Sequence, residues 1–299
     1  MVADQSTLAD YGLERLCDGP DQGWFRSVEP ARGVELFEAW FAGHAYDKHR
    51  HDTYAVGVTE TGVQAFDYRG ASVRATAGNV VAIYPDEVHD GHAGTEQGFG
   101  YRMIYLEPAK ISEAVGSITG ERNALPFIRD TVSTNAKLAA AIRDGFRHHH
   151  EPLAVDSLVL QLAEGLVAGG SGVARINPGR RLDLVALDRA RQFLDAETAR
   201  VVRSSELETI TGLRRYDLAR QFRSLYGTSP YRYSLMRRLD SARRRIGANR
   251  PLAELALDSG FADQAHFTRM FKAAYGMSPA RYRLLKVGNF TTRATEQRK

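Results

Sequence analysis

Apolar residues between positions 24 and 110 come in short bursts. FEAWF, TYAVGVTETG, VQAFDYR, SVRATAG, NVVAIYP and GYRMIYLEP are rich in β-branched and aromatic residues. Turn signals such as TG, YRG, AGN and YPDE separate them, so each reads as a short strand. Many short strands with glycine-rich turns predict a small barrel or sandwich. From residue 109 to 150 the pattern is helical, most clearly in NAKLAAAIRDGFRHHH. Residues 152–168, PLAVDSLVLQLAEGLVA, predict a helix with an apolar face and Pro152 near its first turn. Leu158, Leu162 and Leu166 recur every four residues along it, a stripe that suits either the core or contact with a second copy.

The segment AGGSGVARINPGR, residues 168–180, gathers Gly, Ser and Pro and reads as a flexible linker. Everything after it is helical in pattern. RRLDLVALDRARQFLDAE comes first, and Ser205-x-x-Glu208 then resembles a capping box that opens a short helix stopped at Gly212. RRYDLARQFRSLYG forms another, closed by Gly227, and a longer helix runs from Tyr231 to Ile246. Pro251 opens a short helix stopping at Gly260, and Asp263 caps the next, which ends at Gly276. The chain therefore reads as two domains, β then α: residues 1–168, a linker at 169–180, a helical domain at 181–285 and a tail at 286–299.

One phrase occurs twice, as YGTSPYRY at 226–233 and YGMSPARY at 275–282. Each follows a short helix, a turn with glycine and a second helix, which is helix-turn-helix grammar. Aligned on these phrases, Leu218 matches Phe267 and Phe222 matches Phe271, the i, i+4 positions that bury. Arg220 matches Arg269 and Arg223 matches Lys272 on another face, where cations suit a helix that reads the major groove. The turn glycines Gly212 and Gly260 are one residue closer than the closing phrases, so the two units are unequal. At about 1.5 Å per residue the helix between them is roughly 24 Å long, a spacer that suits reading helices in successive groove turns. Its Arg237, Arg238, Arg243, Arg244 and Arg245 are positioned to touch phosphates or to pair with acids.

Charge sharpens this division. Residues 171–299 hold 26 of the 40 basic residues and 12 of the 36 acidic ones, so a net charge of +4 hides an acidic front and a basic back. The basic part suits a polyanion. The only cysteine, Cys17, excludes an internal disulfide and a multi-cysteine metal site. No run of about 18 apolar residues predicts a membrane span, and the polar N-terminus is unlike a secretory signal, so the expected address is the cytoplasm.

Residues 185–283 resemble the DNA-binding domain of the AraC/XylS family of bacterial transcription regulators. GLRRYDLARQF (212–222), RRLDSARRRI (237–246) and PLAELALDSGFADQAHFTRMFKAAYGMSPARYR (251–283) carry the resemblance. It implies two helix-turn-helix units joined by a long helix, and sequence-specific promoter binding that leans towards activation. It places base reading on Tyr216 and Arg220 in the first unit and on His266 and Arg269 in the second. Arg215, Gln264, Arg223 and Lys272 complete the expected surface. Two positions depart from the family in the first unit: Glu208 where Ala is usual, and Arg214 where a Ser or Thr cap is usual.

HRHDTYAVGVTETGVQAFDYRG (49–70) and AGNVVAIYPDEVHDGHA (77–93) resemble the cupin-like sensor domain of that family. This implies a small β-barrel with a pocket, followed by dimerisation helices. His49-x-His51 puts two imidazoles on one face of a strand, and His89 follows the PDEV turn. Metal-binding cupins add a nearby Glu, which is missing here; Asp52 alternates to the other face of a regular strand. Three histidines could still hold a metal, but the expectation is an organic effector held by His49, His51, Tyr84 and His89, with no metal and no cofactor assigned. His148, His149 and His150 read as surface at a helix end.

The leading reading is a sequence-specific regulator, not an enzyme. Its partners are promoter DNA, a small-molecule effector, a second copy and, for an activator, RNA polymerase. A metal-dependent cupin enzyme with a basic extension is the first alternative; it requires an intact metal site. A non-specific architectural DNA binder is the second; it requires equal affinity for all sequences.

Overall fold

The computed structural model describes residues 23–120, 125–169, 173–174, 182–247 and 250–286. Its front part is built from β1 (Gly23–Ala31), β2 (Val34–Phe41), β3 (His44–His49), β4 (Tyr54–Tyr68), β5 (Ala71–Thr76), β6 (Val80–Ile83), β7 (His89–Ala93) and β8 (Phe99–Leu106). All pair antiparallel, in the order β1-β2-β8-β4-β6, and β6 also pairs with β10 (Val132–Ser133). β5 and β7 add to β4, and β3 adds to β7.

β4 was expected as two strands broken at TG. It is instead one strand of 15 residues that serves two surfaces. Tyr54–Gly62 pair with β8, and the stretch from Val63 turns to β5 and β7. A register shift between Thr59 and Thr61 and the positive φ of Gly62 (67°) make the bend. A Cβ at Gly62 would overlap the Gly98 carbonyl, so glycine is required there.

Side chains of the barrel strands alternate between two cores, as the two-residue period demands. Phe37, Ala39 and Phe41 of β2, with Phe99, Tyr101 and Met103 of β8, face one cluster. Val34, Leu36, Tyr54, Val56, Ile104 and Leu106 face another, covered by α1 (Pro108–Thr119), α2 (Ala136–His148) and α3 (Pro152–Gly169). Leu158, Leu162 and Leu166 are all buried there, so that stripe is core. α3 does reach the length and composition of a membrane span, contrary to the sequence expectation. Its apolar face nonetheless packs inside this fold, and Asp156 and Glu164 stand exposed off that face. Of the expected linker, Gly169 ends α3 and β11 (Val173–Ala174) pairs with β9 (Leu125–Pro126). Its other positions lie outside the described residues, as do the tail beyond Lys286 and Cys17.

The back part comprises α4 (Leu184–Ala196), α5 (Ser204–Thr211), α6 (Arg215–Tyr226), α7 (Pro230–Arg244), α8 (Leu252–Asp258), α9 (Gln264–Tyr275) and α10 (Pro279–Leu285). The doubled phrase is a junction between helices. Gly227 and Gly276 close α6 and α9 in the left-handed conformation, with φ 74° and 69°. Ser229 and Ser278 then cap α7 and α10, each with Pro at the first helical position. The first unit keeps its own core of Leu187, Leu194, Leu207, Leu218 and Phe222. The second shares one with the barrel interior: Met236, Leu239, Phe267, Phe271 and Tyr282 are continuous with Phe25, Phe37 and Tyr101.

The arginines of α7 mostly turn inward. Arg243 places both terminal nitrogens 2.7 Å from the Glu35 carboxylate on β2. Arg237 reaches Asp52 at 3.1 Å and Asp240 at 3.2 Å, and also bonds Glu107. Arg238 donates to the Ser259 and Gly260 carbonyls, and Arg245 to the Ser259 hydroxyl at 2.6 Å. These four are therefore not spare phosphate contacts. Arg244 is exposed, 3.4 Å from Glu29. Adjacent arginines on one helix should then behave differently. Arg243→Ala, which strands Glu35 in the interface, is expected to cost about 3–5 kcal/mol, and Arg244→Ala less than about 1 kcal/mol. Urea unfolding followed by circular dichroism measures both.

Candidate DNA-reading surface and interdomain cavity

The two reading helices present their expected residues unevenly. On α9, Asp263 accepts from His266 N at 2.6 Å, while Phe267 and Phe271 are fully buried. Gln264 and Arg269 are exposed, and Arg269 has no ion-pair partner among the described residues. His266 is half-buried, its ring 5.5 Å from Phe261. Lys272 is exposed yet tied to the barrel, its Nζ 2.7 Å from Asp47 on β3. On α6, Leu218 and Phe222 are buried and Tyr216 is 83% exposed. Arg215 and Arg223 are exposed, and Arg220 bonds Asp217 at 2.9 Å. Arg223 and Lys272, matched in sequence, thus stand in different settings.

The first unit's two departures from the family compensate one another. Arg214 occupies the N-cap of α6 and makes no side-chain cap bond. Glu208 reaches across the turn instead, its Oε1 accepting from Arg215 N at 2.8 Å. A carboxylate is thereby placed at the positive end of the reading helix. The expected capping box at Ser205 and Glu208 is corrected accordingly. The box sits two residues earlier, with Arg203 at the N-cap of α5, and Glu206 accepts from Arg203 N at 2.7 Å. That leaves Glu208 free for the next helix.

Between the barrel and the back part lies a cavity of about 100 Å³. The barrel contributes Phe37, Tyr46, His49, His51, Asp52 and Tyr105 to its wall. Met236, Arg237, Asp240 and Arg243 of α7 contribute the opposite wall, with Tyr275 and Tyr282. Two arginines face four carboxylates here: Glu35, Asp52, Glu107 and Asp240. Burial pushes Asp52 up to about 6 against the pull of Arg237. Burial also raises Asp240, but Arg237 and Arg243 outweigh it and hold that carboxyl below its usual range.

Three of the four expected effector residues meet. β3 ends at His49, so His51 sits in the following loop and not on a strand, yet both rings line the cavity. His89 lies beside them, with ring centroids 4.3 Å from His49 and 5.0 Å from His51. One ring nitrogen of each lies within 4.8 Å of the others, a spacing at which they could hold a metal ion. Burial lowers all three, His51 to about 3. Because the strand has ended, Asp52 also faces the cavity and does not alternate away from it. Tyr84 does not join them. It packs on Tyr54 and Phe127, at centroid distances of 5.3 and 5.8 Å, against the other core. His148 and His150 are exposed, as expected, whereas His149 is half-buried with its Nδ1 3.0 Å from the Phe146 carbonyl.

Residues 32–163 match the AraC-like ligand binding domain family, and residues 207–284 match a helix-turn-helix domain family. Together they span more than two thirds of the chain. The chain belongs to the AraC family of transcription regulators. An uncharacterized HTH-type transcriptional regulator of Bacillus subtilis (strain 168), YbfI, is 24% identical over 246 residues, covering 80% of this chain and 87% of that protein. ToxT of Vibrio cholerae O395, solved with (E)-4-(8-methylnaphthalen-1-yl)but-3-enoic acid, shares the fold at TM-score 0.57 and 11% identity, over 88% of this chain and 98% of that one. ToxT of strain SCE256, solved with an unsaturated fatty acid, matches at TM-score 0.57 and 13% identity over 92% and 96%. As an AraC-type regulator the chain carries a ligand-binding domain and a helix-turn-helix domain. The borrowed cap predicts that Glu208→Ala destabilises the first unit by about 1 kcal/mol. Adding Arg214→Ser to that variant should restore most of the loss, read as amide exchange in α6.

Proposed function

We propose that this regulator binds promoter DNA sequence-specifically through α6 and α9, and that a small organic effector in the interdomain cavity controls it. The observation that supports this most is the composition of the cavity wall. A molecule there touches barrel strands and α7 together, so it necessarily prefers one arrangement of the two parts. The ToxT structures hold carboxylic acids. In this chain Arg237 and Arg243 already hold carboxylates of their own. An acidic effector would therefore compete with Asp52 or Glu35 for its cation.

On this reading the base contacts come from Tyr216, Arg220, His266 and Arg269, with Arg215, Gln264 and Arg223 beside them. Lys272 contacts DNA only after its bond to Asp47 opens. A second copy pairs through α3, where Leu153 and Leu160 remain exposed. RNA polymerase is the further partner if the response is activation. The protein works in the cytoplasm, with its DNA, and has no catalytic role.

The test is binding of the full chain to its own upstream region and to random DNA at about 150 mM salt. A specific site should win by about 10³-fold or more. Equal affinity would point to an architectural binder. Arg269→Ala should cost about 1–3 kcal/mol on the specific site and little on random DNA. A uniform loss would reduce Arg269 to a phosphate contact.

A further inference from the structure

A hydrogen-bonding rim leaves one feature of the cavity floor unexplained. His49 Nδ1 lies 2.8 Å from the Asp47 carbonyl, His51 Nδ1 3.0 Å from that of Thr53, and His89 Nδ1 3.0 Å from that of Glu87. A carbonyl only accepts, so each ring donates from Nδ1 and keeps its lone pair on Nε2. The three buried rings bring one nitrogen each to within 4.8 Å of the others. His51 Nε2 is buried and has no hydrogen-bond partner. Leaving such an atom unsatisfied costs about 1–3 kcal/mol, and a cation held with the neighbouring His49 and His89 nitrogens would satisfy it.

We infer that His49, His51 and His89 form a binding site for a divalent transition-metal ion at the floor of the interdomain cavity. Imidazole nitrogens suit zinc, cobalt, nickel or iron(II) and not calcium or magnesium. An ion about 2.1 Å from each nitrogen separates them by roughly 3.4 Å. The present spread, within 4.8 Å, closes with small ring rotations. Each ligand already has the outer partner that metal-binding histidines use, a carbonyl that fixes tautomer and orientation. The missing cupin Glu leaves a position open, and His49 and His51 turn it towards the cavity. The effector class that fits is therefore a small molecule with a lone-pair donor oxygen or nitrogen for that position.

The site also touches the reading domain. Asp47, whose carbonyl orients His49, accepts from Lys272 and donates its own N–H to the Gly276 carbonyl at 2.8 Å. A Cβ at Gly276 would stand 2.8 Å from His49 Nδ1. Ordering the His49 ring thus bears on the end of α9.

The test uses the full chain without an affinity tag, stripped by chelator and titrated with Co²⁺ and then Zn²⁺. The expected result is one ion per chain, visible Co²⁺ ligand-field bands displaced by Zn²⁺, and a higher thermal midpoint with metal. His51→Ala and His89→Ala should each weaken binding by more than about 100-fold. Replacing His148, His149 and His150 with alanine together should change nothing. Absence of stoichiometric binding by the folded wild-type chain overturns the inference, as does binding that follows His148–His150. If the ligand variants fail to fold, the wild-type thermal shift decides alone: no rise with Zn²⁺ refutes the site. DNA affinity is measured separately, so failure of the promoter-binding reading leaves this result standing.

Discussion

Arg237 and Arg243 of α7 are set into an acidic mouth formed by Glu35, Asp52 and Glu107, and the rest of the architecture depends on that clamp. A buried ion pair gains little net stability, because desolvation offsets the attraction. Its geometric demand is strict, however, since a single displaced partner strands a charge. The clamp therefore fixes where α7 lies on the barrel. Apolar packing completes the arrangement: Met236 and Leu239 leave α7 on the same side and join Phe37 and Tyr101 in one core. Two parts that differ in every local feature are thereby made into one body with a cavity between them.

This arrangement treats the two helix-turn-helix units differently. The second shares its core with the barrel, and Asp47 of β3 and Arg50 just after that strand add backbone bonds to it. The first keeps a separate core and meets the front part through α1. A ligand or an ion in the cavity therefore bears first on the second unit. Lys272 illustrates the consequence. It occupies a reading position on α9, yet its charge is held by Asp47 of the barrel, so the sensor and DNA share one cation.

Local signals in the sequence carried much of the helical part. Gly227, Ser229, Gly276, Ser278 and Asp263 each act at a helix end, where the chemistry is decided within a few residues. The short strands were legible for the same reason, apart from β4, whose bend looked like a turn. The clamp was not legible, because Arg237 and Asp52 are 185 residues apart and Arg243 and Glu35 are 208 apart. The one available hint was the opposite charge of the two halves, which suggested an outside polyanion and is partly satisfied within the chain. The histidine cluster was half legible. His49 and His51 share a site, though His51 stands on the loop after β3 and not on its strand face. Tyr84 packs on Tyr54 and Phe127 in the other core, contacts that no local pattern around it announces. Glu208 read as a departure from the family until the structure put its carboxylate on α6.

Amide hydrogen exchange at Asp47 and Arg50 tests the central claim most directly. Their N–H groups donate to the Gly276 and Ala273 carbonyls at 2.8 and 3.2 Å, across the junction between β3 and α9. If the clamp holds the two parts as one body, both amides are protected in the full chain. They should then lose that protection in an Arg237→Ala, Arg243→Ala variant whose β4 and β8 amides stay protected. Free exchange at both positions in the unaltered chain would contradict the account.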